Sequence, residues 1–335
     1  MKNQVHPKNP EPNNLKTVFF GTSEFAVPAL KGLLNFGYNV LAVVTQPEKP
    51  VGRARVVMPS PIKKAAIENN IPVFEPHNLK KDEEFFEQFK NLNVDLCVVA
   101  AYGKIIPSRY LEIPKYGFLN IHPSLLPKYR GPSPIQTTIM NGDRETGVAI
   151  MKVDEEMDHG AILRITNYEL RITDYYKKVE DDLSKLGAEL LIDTLPKYIS
   201  GEIKPQEQNH SRATFTKLLI REDGRIDWSK TAEEIYNQIR ALNPEPGTWT
   251  TWPSFANALA GKKTKILNIH EVEPHKIEVR PQHQPGEVVR VDNEIAVATQ
   301  KCYLILKQIQ LEGGKEMDAK AFLNGHPDFL GSQLE

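Results

Sequence analysis

Short apolar runs alternate with amphipathic stretches through the first part of the chain. Thr17-Val18-Phe19-Phe20 is one such run, stopping at Gly21, and Val40 to Val44 is another, closed by Thr45-Gln46-Pro47. Between them Phe25, Leu30, Leu33 and Leu34 recur at helical spacing. Further strand-like runs are Val94 to Ala101, Phe118 to His122 and Gly147 to Val153. Near-continuous apolar runs suit strands buried on both faces. With helical crossovers between them, they predict an α/β domain with a mostly parallel, Rossmann-like sheet. Ligands of such sheets sit beyond the carboxyl ends of the strands. The loops at Gly21, Gln46, Tyr102 and His122 are therefore expected to open onto one edge.

The pattern changes after residue 173. Asp174 to Ile199 carries Val179, Leu183, Leu186, Leu190 and Leu191 at the spacing of a long amphipathic helix. Lys204 to Lys217 is polar and aperiodic and is the expected linker. Thr231-Ala232-Glu233-Glu234 has the form of a capping box. The helix it opens, Ile235 to Leu242, must end at Asn243-Pro244-Glu245-Pro246-Gly247. Short β runs follow: Lys265 to Ile269, Gly286 to Val291, Glu294 to Ala298 and Cys302 to Ile309, with a hairpin turn at Val291-Asp292-Asn293-Glu294. Strands of this length and spacing suggest a smaller C-terminal β-barrel of the OB type. The expected division is an extension over 1–15, a catalytic domain over 16–204, a linker over 205–222 and the β domain over 223–325.

Composition narrows the class. The 335 residues suffice for two domains, and nothing approaches the ~18 consecutive apolar residues of a membrane span. Met1 to Asn14 is polar and proline-rich, without the hydrophobic region of a secretory signal, and reads as a disordered extension. Cys97 and Cys302 both sit in strand-like runs and make neither a disulfide framework nor a zinc site. A reducing compartment, the cytoplasm, is the expected location, and a monomer the expected state. Charge is nearly balanced: +1 over residues 1–205 and −2 over 206–335. Neither half has the basic excess of a general nucleic-acid binder, so any RNA contact must use local patches.

The densest chemistry lies in Asn120-Ile121-His122-Pro123-Ser124-Leu125-Leu126-Pro127-Lys128-Tyr129-Arg130-Gly131. Asn120 and His122 are two apart on a strand and share one face. Read alone, such a pair serves a satisfied structural role as readily as a catalytic one. Pro123 and Pro127 stiffen the following loop, whose backbone amides suit recognition of a flat polar heterocycle. The acidic cluster at Asp154, Glu155, Glu156 and Asp158 is mostly of the kind found on solvated faces. Asp158 differs because Gly160 and Ala161-Ile162-Leu163 turn the chain back into the fold.

The run from Phe118 to Gly131, together with Asp158-x-Gly160, resembles the folate-dependent formyltransferases. The resemblance spans roughly residues 16 to 325. It implies a catalytic set of Asn120, His122 and Asp158, and a folate-binding loop at Ser124, Leu125, Leu126 and Pro127. The implied donor is 10-formyltetrahydrofolate, with no metal. Phe19-Phe20-Gly21-Thr22-Ser23-Glu24-Phe25-Ala26 is similar to the opening strand and turn of those members that act on initiator methionyl-tRNA. So are the insertion from Thr45-Gln46-Pro47 to Pro61, Ile226-Asp227-Trp228 and Arg240-Ala241-Leu242-Asn243-Pro244. Arg53 matches the basic residue of that insertion. Arg53 and Arg55, with Lys262, Lys263 and Lys265, are the expected RNA contacts. Tyr129 stands where relatives often carry Trp. Two other acceptors suit the same set: an amino-sugar nucleotide, or water in a formyl-folate hydrolase. An RNA-binding module without activity fits the β domain but leaves the catalytic set unused. A dinucleotide oxidoreductase is disfavoured, since Gly21-Thr22-Ser23-Glu24 lacks the glycines that admit a pyrophosphate.

Overall fold

The computed structural model describes residues 14–48, 50–51, 56–253, 264–280 and 282–335. The chain divides into two compact units. The first holds the described residues up to Pro134, with Glu145–Glu169 and Glu180–Thr216; the second holds Ile135–Arg144, Leu170–Val179 and Lys217–Glu335.

The first unit is built on β1 (Lys16–Gly21), whose last five residues are all buried, as a central strand requires. After α1 (Val27–Asn35), β2 (Asn39–Val44) lies parallel beside it. The short antiparallel pair β3 (Pro50–Val51) and β4 (Val56–Val57) precedes α2 (Pro61–Glu68) and β5 (Val73–Phe74). Helix α3 (Glu83–Asn91) then carries the chain to β6 (Leu96–Ala100) on the other side of β1. Helix α4 (Ser108–Leu111) and β7 (Phe118–His122) follow. After α5 (Pro134–Met140), β8 (Glu145–Lys152) and β9 (Ile162–Glu169) close the sheet as an antiparallel hairpin. The order is β5-β2-β1-β6-β7-β8-β9. The expected mostly parallel sheet is present. Its connections reverse direction at β1 and β6, the position where open α/β sheets form a ligand crevice.

Helix α6 (Tyr176–Ile199) is the long amphipathic helix expected from Asp174. Gly187 sits where it crosses the sheet. A Cβ there would stand 2.6 Å from Ile121 Cγ2 and 3.3 Å from Val148 Cγ1, so glycine permits the close approach. The expected linker over 205–222 is shared between the units: up to Thr216 it belongs to the first, and from Lys217 to the second. Its backbone pairs with the first unit through Gln206 to Ile162 and Phe215 to Arg130. Backbone pairing of this kind leaves no hydrophobic period to read.

In the second unit, α7 (Ala232–Leu242) begins with the expected box. Glu234 N donates to Thr231 Oγ1 at 3.2 Å and Thr231 N donates to Glu234 Oε2 at 2.9 Å. The β runs are β10 (Trp249–Trp252), β11 (Lys265–Glu278), β12 (Val288–Val291), β13 (Glu294–Ala298), β14 (Cys302–Leu311) and β15 (Glu316–Asp318), before α8 (Ala319–Gly325). They form an antiparallel sheet in the order β10-β11-β14-β13-β12, with β15 on β14. The hairpin at Asp292-Asn293 has both residues at positive φ, 48° and 64°, as a type I′ turn demands. Trp252, Phe322 and Phe329 pack edge to face in the core.

Within that core the buried Trp228 indole N–H donates to Thr250 Oγ1 at 3.0 Å. Thr250→Val keeps the shape and removes the acceptor. An orphaned buried donor costs about 1–3 kcal/mol. The urea midpoint of Thr250→Val should fall accordingly with an unchanged denaturant slope.

Candidate active site

Strand β7 has two chemically different faces. Leu119 and Ile121 turn to the side covered by α6, while Asn120 and His122 share the other face with Phe118, which packs on Phe20 and Phe89. Pro123 ends the strand and a tight loop follows. Ser124 N donates to the His122 carbonyl at 2.9 Å, Ser124 Oγ to the Lys128 carbonyl at 2.7 Å, and Lys128 N to the Leu125 carbonyl at 3.1 Å. Ser124 and Leu126 are buried, Leu126 against Ala149 and Met151 of β8, whereas Leu125 and Pro127 remain partly exposed.

Asp158 arrives from the loop between β8 and β9. The loop folds back so that Asp158, at φ +50°, reaches the polar face of β7. Its Oδ1 accepts from Asn120 Nδ2 at 3.4 Å and stands 3.6 Å from His122 Nδ1. Its Oδ2 accepts from Gly131 N at 2.8 Å. The other side of the imidazole is committed: His122 Nε2 lies 3.0 Å from the Tyr129 carbonyl oxygen. A carbonyl can only accept, so Nε2 carries a proton. The three expected catalytic residues thus converge beside the Ser124–Pro127 loop. His122 is buried, and Asp158 keeps 15% of its side chain exposed. Glu155 and Glu156 face solvent.

The turn that carries Asp158 is closed by Gly160. A Cβ on Gly160 would lie 2.0 Å from the Lys152 carbonyl oxygen. A third segment, absent from the expected site, supports both loops. Thr214 Oγ1 accepts from Tyr129 N at 2.9 Å, and the Thr214 carbonyl accepts from Arg130 N at 2.9 Å. Gln208 and His210 receive the buried Arg130 guanidinium. Nothing periodic marks these residues, and their partners are about eighty positions away. Only the adjacency of Arg130 to the Ser124–Pro127 loop hinted at a role.

At the crevice, the loops after β1, β2 and β6 are tied together. The Tyr102 carbonyl accepts from Thr22 Oγ1 at 3.1 Å and from Gln46 Nε2 at 2.8 Å. The base of the insertion is also pinned. Thr45 and Ser60 hydroxyls meet at 3.1 Å, and Lys63 Nζ bonds Glu48 and Glu75 at 2.6 Å each, which raises the Lys63 pKa. Arg53, Arg55, Lys262 and Lys263 lie outside the described residues; Lys265 opens β11 opposite Trp252 and is partly buried. Among the described residues, no cluster of His, Cys, Asp or Glu could hold a metal, and no helix is long and apolar enough to cross a membrane.

Comparison with known proteins assigns the class. Residues 15–195 match the family model for formyl transferase, and residues 218–327 match the formyl transferase C-terminal domain. The chain carries both domains of a formyl transferase. A methionyl-tRNA formyltransferase of Sulfurihydrogenibium sp. is 39% identical over 323 residues, covering 96% of this chain and 100% of that protein. One from Caldicellulosiruptor saccharolyticus is 42% identical, covering 92% and 96%. The chain belongs to the methionyl-tRNA formyltransferase family. Solved structures at lower identity share the fold. An N-formyltransferase from Helicobacter canadensis, in complex with folinic acid and dTDP-3-aminofucose, superposes with a TM-score of 0.63 at 18% identity, over 87% of this chain and 99% of that one. HypX from Aquifex aeolicus with tetrahydrofolic acid gives 0.62 at 16% identity; it covers 92% of this chain, which spans about half (46%) of HypX.

Gly160→Ala should be as damaging as a change at Asp158 itself, because the new methyl collides with fixed backbone. It should lose most formyl transfer and lower the thermal midpoint. Wild-type turnover in this variant would show that the turn can relax without moving the carboxylate.

Proposed function

We propose that the enzyme transfers the formyl group of 10-formyltetrahydrofolate to the α-amine of methionyl initiator tRNA, giving the N-formylated initiator used in translation, in the cytoplasm. The observation that carries this reading is the meeting of Asn120, His122 and Asp158 at one point beside a rigid loop. Among the described residues the Leu125 and Leu126 N–H groups have no protein partner, which leaves them as donors to a flat folate ring.

The neutral amine attacks the formyl carbon, and the carbonyl oxygen becomes an oxyanion. A free α-amine titrates near ~7.7–8.0, and esterification lowers that value, so attack needs little base. Asn120 points one amide hydrogen at Asp158 and keeps its second for the oxyanion. His122 donates from Nδ1, because Nε2 is held by the Tyr129 carbonyl. An Nδ1–H requires the doubly protonated ring, whose charge then faces the Asp158 carboxylate. As the new C–N bond forms, the amine loses a proton, which Asp158 passes directly or through water to the folate nitrogen. The bond from that nitrogen to the formyl carbon then breaks. No covalent enzyme intermediate is needed. The acceptor reading rests on relatedness over 92–96% of the chain, and it assigns the tRNA contacts to Arg53, Arg55, Lys262, Lys263 and Lys265.

Purified protein supplied with 10-formyltetrahydrofolate should formylate charged initiator tRNA and leave amino-sugar nucleotides untouched. Transfer to the sugar amine alone would sink the acceptor assignment. Asn120→Ala and His122→Ala should each lower kcat by roughly 100- to 1000-fold, the cost of about 2.7–4 kcal/mol for one lost oxyanion donor, and Asp158→Ala, which removes the proton carrier, by roughly 100- to 10,000-fold, while tRNA binding survives in all three. Arg53→Ala should instead raise the KM for tRNA and spare folate binding.

A further inference from the structure

We propose that Gln208 is a positioning residue for Asp158, and that Arg130 sets the direction of its amide. The Gln208 Nε2 donates to two carbonyls that bracket His159: Asp158 O at 2.9 Å and Gly160 O at 2.8 Å. Both hydrogens of one amide are spent on a single turn. That turn holds Asp158 at positive φ, a conformation side-chain-bearing residues seldom adopt. The clamp therefore fixes the backbone from which the carboxylate reaches Asn120 and His122.

A carboxamide fits two ways round, and only one of them makes this clamp. Arg130 removes the ambiguity. Its Nε and Nη2 both donate to Gln208 Oε1, at 3.2 and 2.8 Å. Arginine has no acceptor, so the amide oxygen must face it and the NH2 must face the turn. Arg130 is held in turn by His210, whose Nδ1 lies 2.8 Å from Nη2 and must offer a lone pair there. His210 stacks on His159 at 4.0 Å with an 8° tilt, and His159 Nδ1 meets Asp154 Oδ2 at 2.8 Å. The chain of contacts thus returns to the loop it supports. Arg130 and Gln208 are buried, and neither touches the point where Asn120, His122 and Asp158 meet.

This inference rests on the reading of Asp158 as a catalytic group, and the test separates the two. Gln208→Leu removes the clamp. Gln208→Glu keeps the two bonds from Arg130, now as an ion pair, but turns an acceptor oxygen onto the two carbonyls. Each should lower kcat roughly 10- to 100-fold, the effect of a displacement of about 1 Å at a reacting group, with KM for both substrates within about twofold of wild type. Asp158→Asn supplies the reference. In that background Gln208→Leu should cause no further loss, because the group it positions is already disabled. A general loss of folding would lower both backgrounds alike and overturn the proposal. So would unchanged kcat in both Gln208 variants with Asp158→Asn impaired, and that outcome leaves the catalytic reading intact. Near-normal turnover in Asp158→Asn itself would overturn the catalytic reading and this inference with it.

Discussion

A carboxylate set against an imidazole and an amide has to be held there, because water offers it a better solvent than protein does. Most of the first unit can be understood from that constraint on Asp158. Its two oxygens take hydrogen bonds from Asn120 and from the Gly131 backbone, on two different segments. Its backbone is pinned by a third, through Gln208. The residue itself comes from a fourth, the loop after β8. β7, the loop directly after it, the loop after β8 and the segment at Gln208 must be fixed together before the carboxylate can stand 3.6 Å from His122 Nδ1.

The sheet supplies the rigidity for this. β7 is bounded by β6 in parallel and β8 in antiparallel pairing, so Asn120 and His122 stand on a backbone that is hydrogen-bonded on both sides. The face opposite them is sealed by α6, and Gly187 allows that helix to approach closely. Side chains mounted on such a strand are placed more reproducibly than any on a free loop. The loop residues that complete the site are correspondingly braced: the Tyr129 and Arg130 backbone is laddered to Thr214 and Thr216. The candidate site thus lies at the strand end where parallel and antiparallel pairing meet.

What could be read from the chain alone follows from which interactions leave a periodic trace. The strands at 16–21, 39–44, 96–100 and 118–122 were legible because burial on both faces demands unbroken apolar runs. The box at Thr231 and the turn at Asp292-Asn293 were legible because local backbone geometry dictates residue type. Asn120, His122 and Asp158 were visible as a set only through likeness to a family, since an Asn-x-His pair alone is equally at home in a structural role. The place of the segment at 205–216 in the first unit was not legible, for the complementary reason. Its hold on the first unit is made by backbone bridges and by polar side chains such as Gln208, which bind specifically but repeat with no period. β15, three exposed residues lying on β14, likewise offers no apolar signal.

Arg130 shows why the hidden part of the site takes the form it does. Burying a guanidinium costs several kcal/mol unless its donors are met. A carboxylate would meet them most strongly, yet a second anion beside Asp158 would compete for the same donors and repel it. Gln208 and His210 are neutral acceptors, and the guanidinium carbon lies 5.9 Å from the centroid of the Phe215 ring. Neutral partners satisfy the cation without adding negative charge near Asp158. They also do something a carboxylate cannot: the amide that accepts from Arg130 has a donor end left over, and that end holds the Asp158 turn. The buried arginine thus orients a neighbour whose own hydrogen bonds define the geometry of the carboxylate.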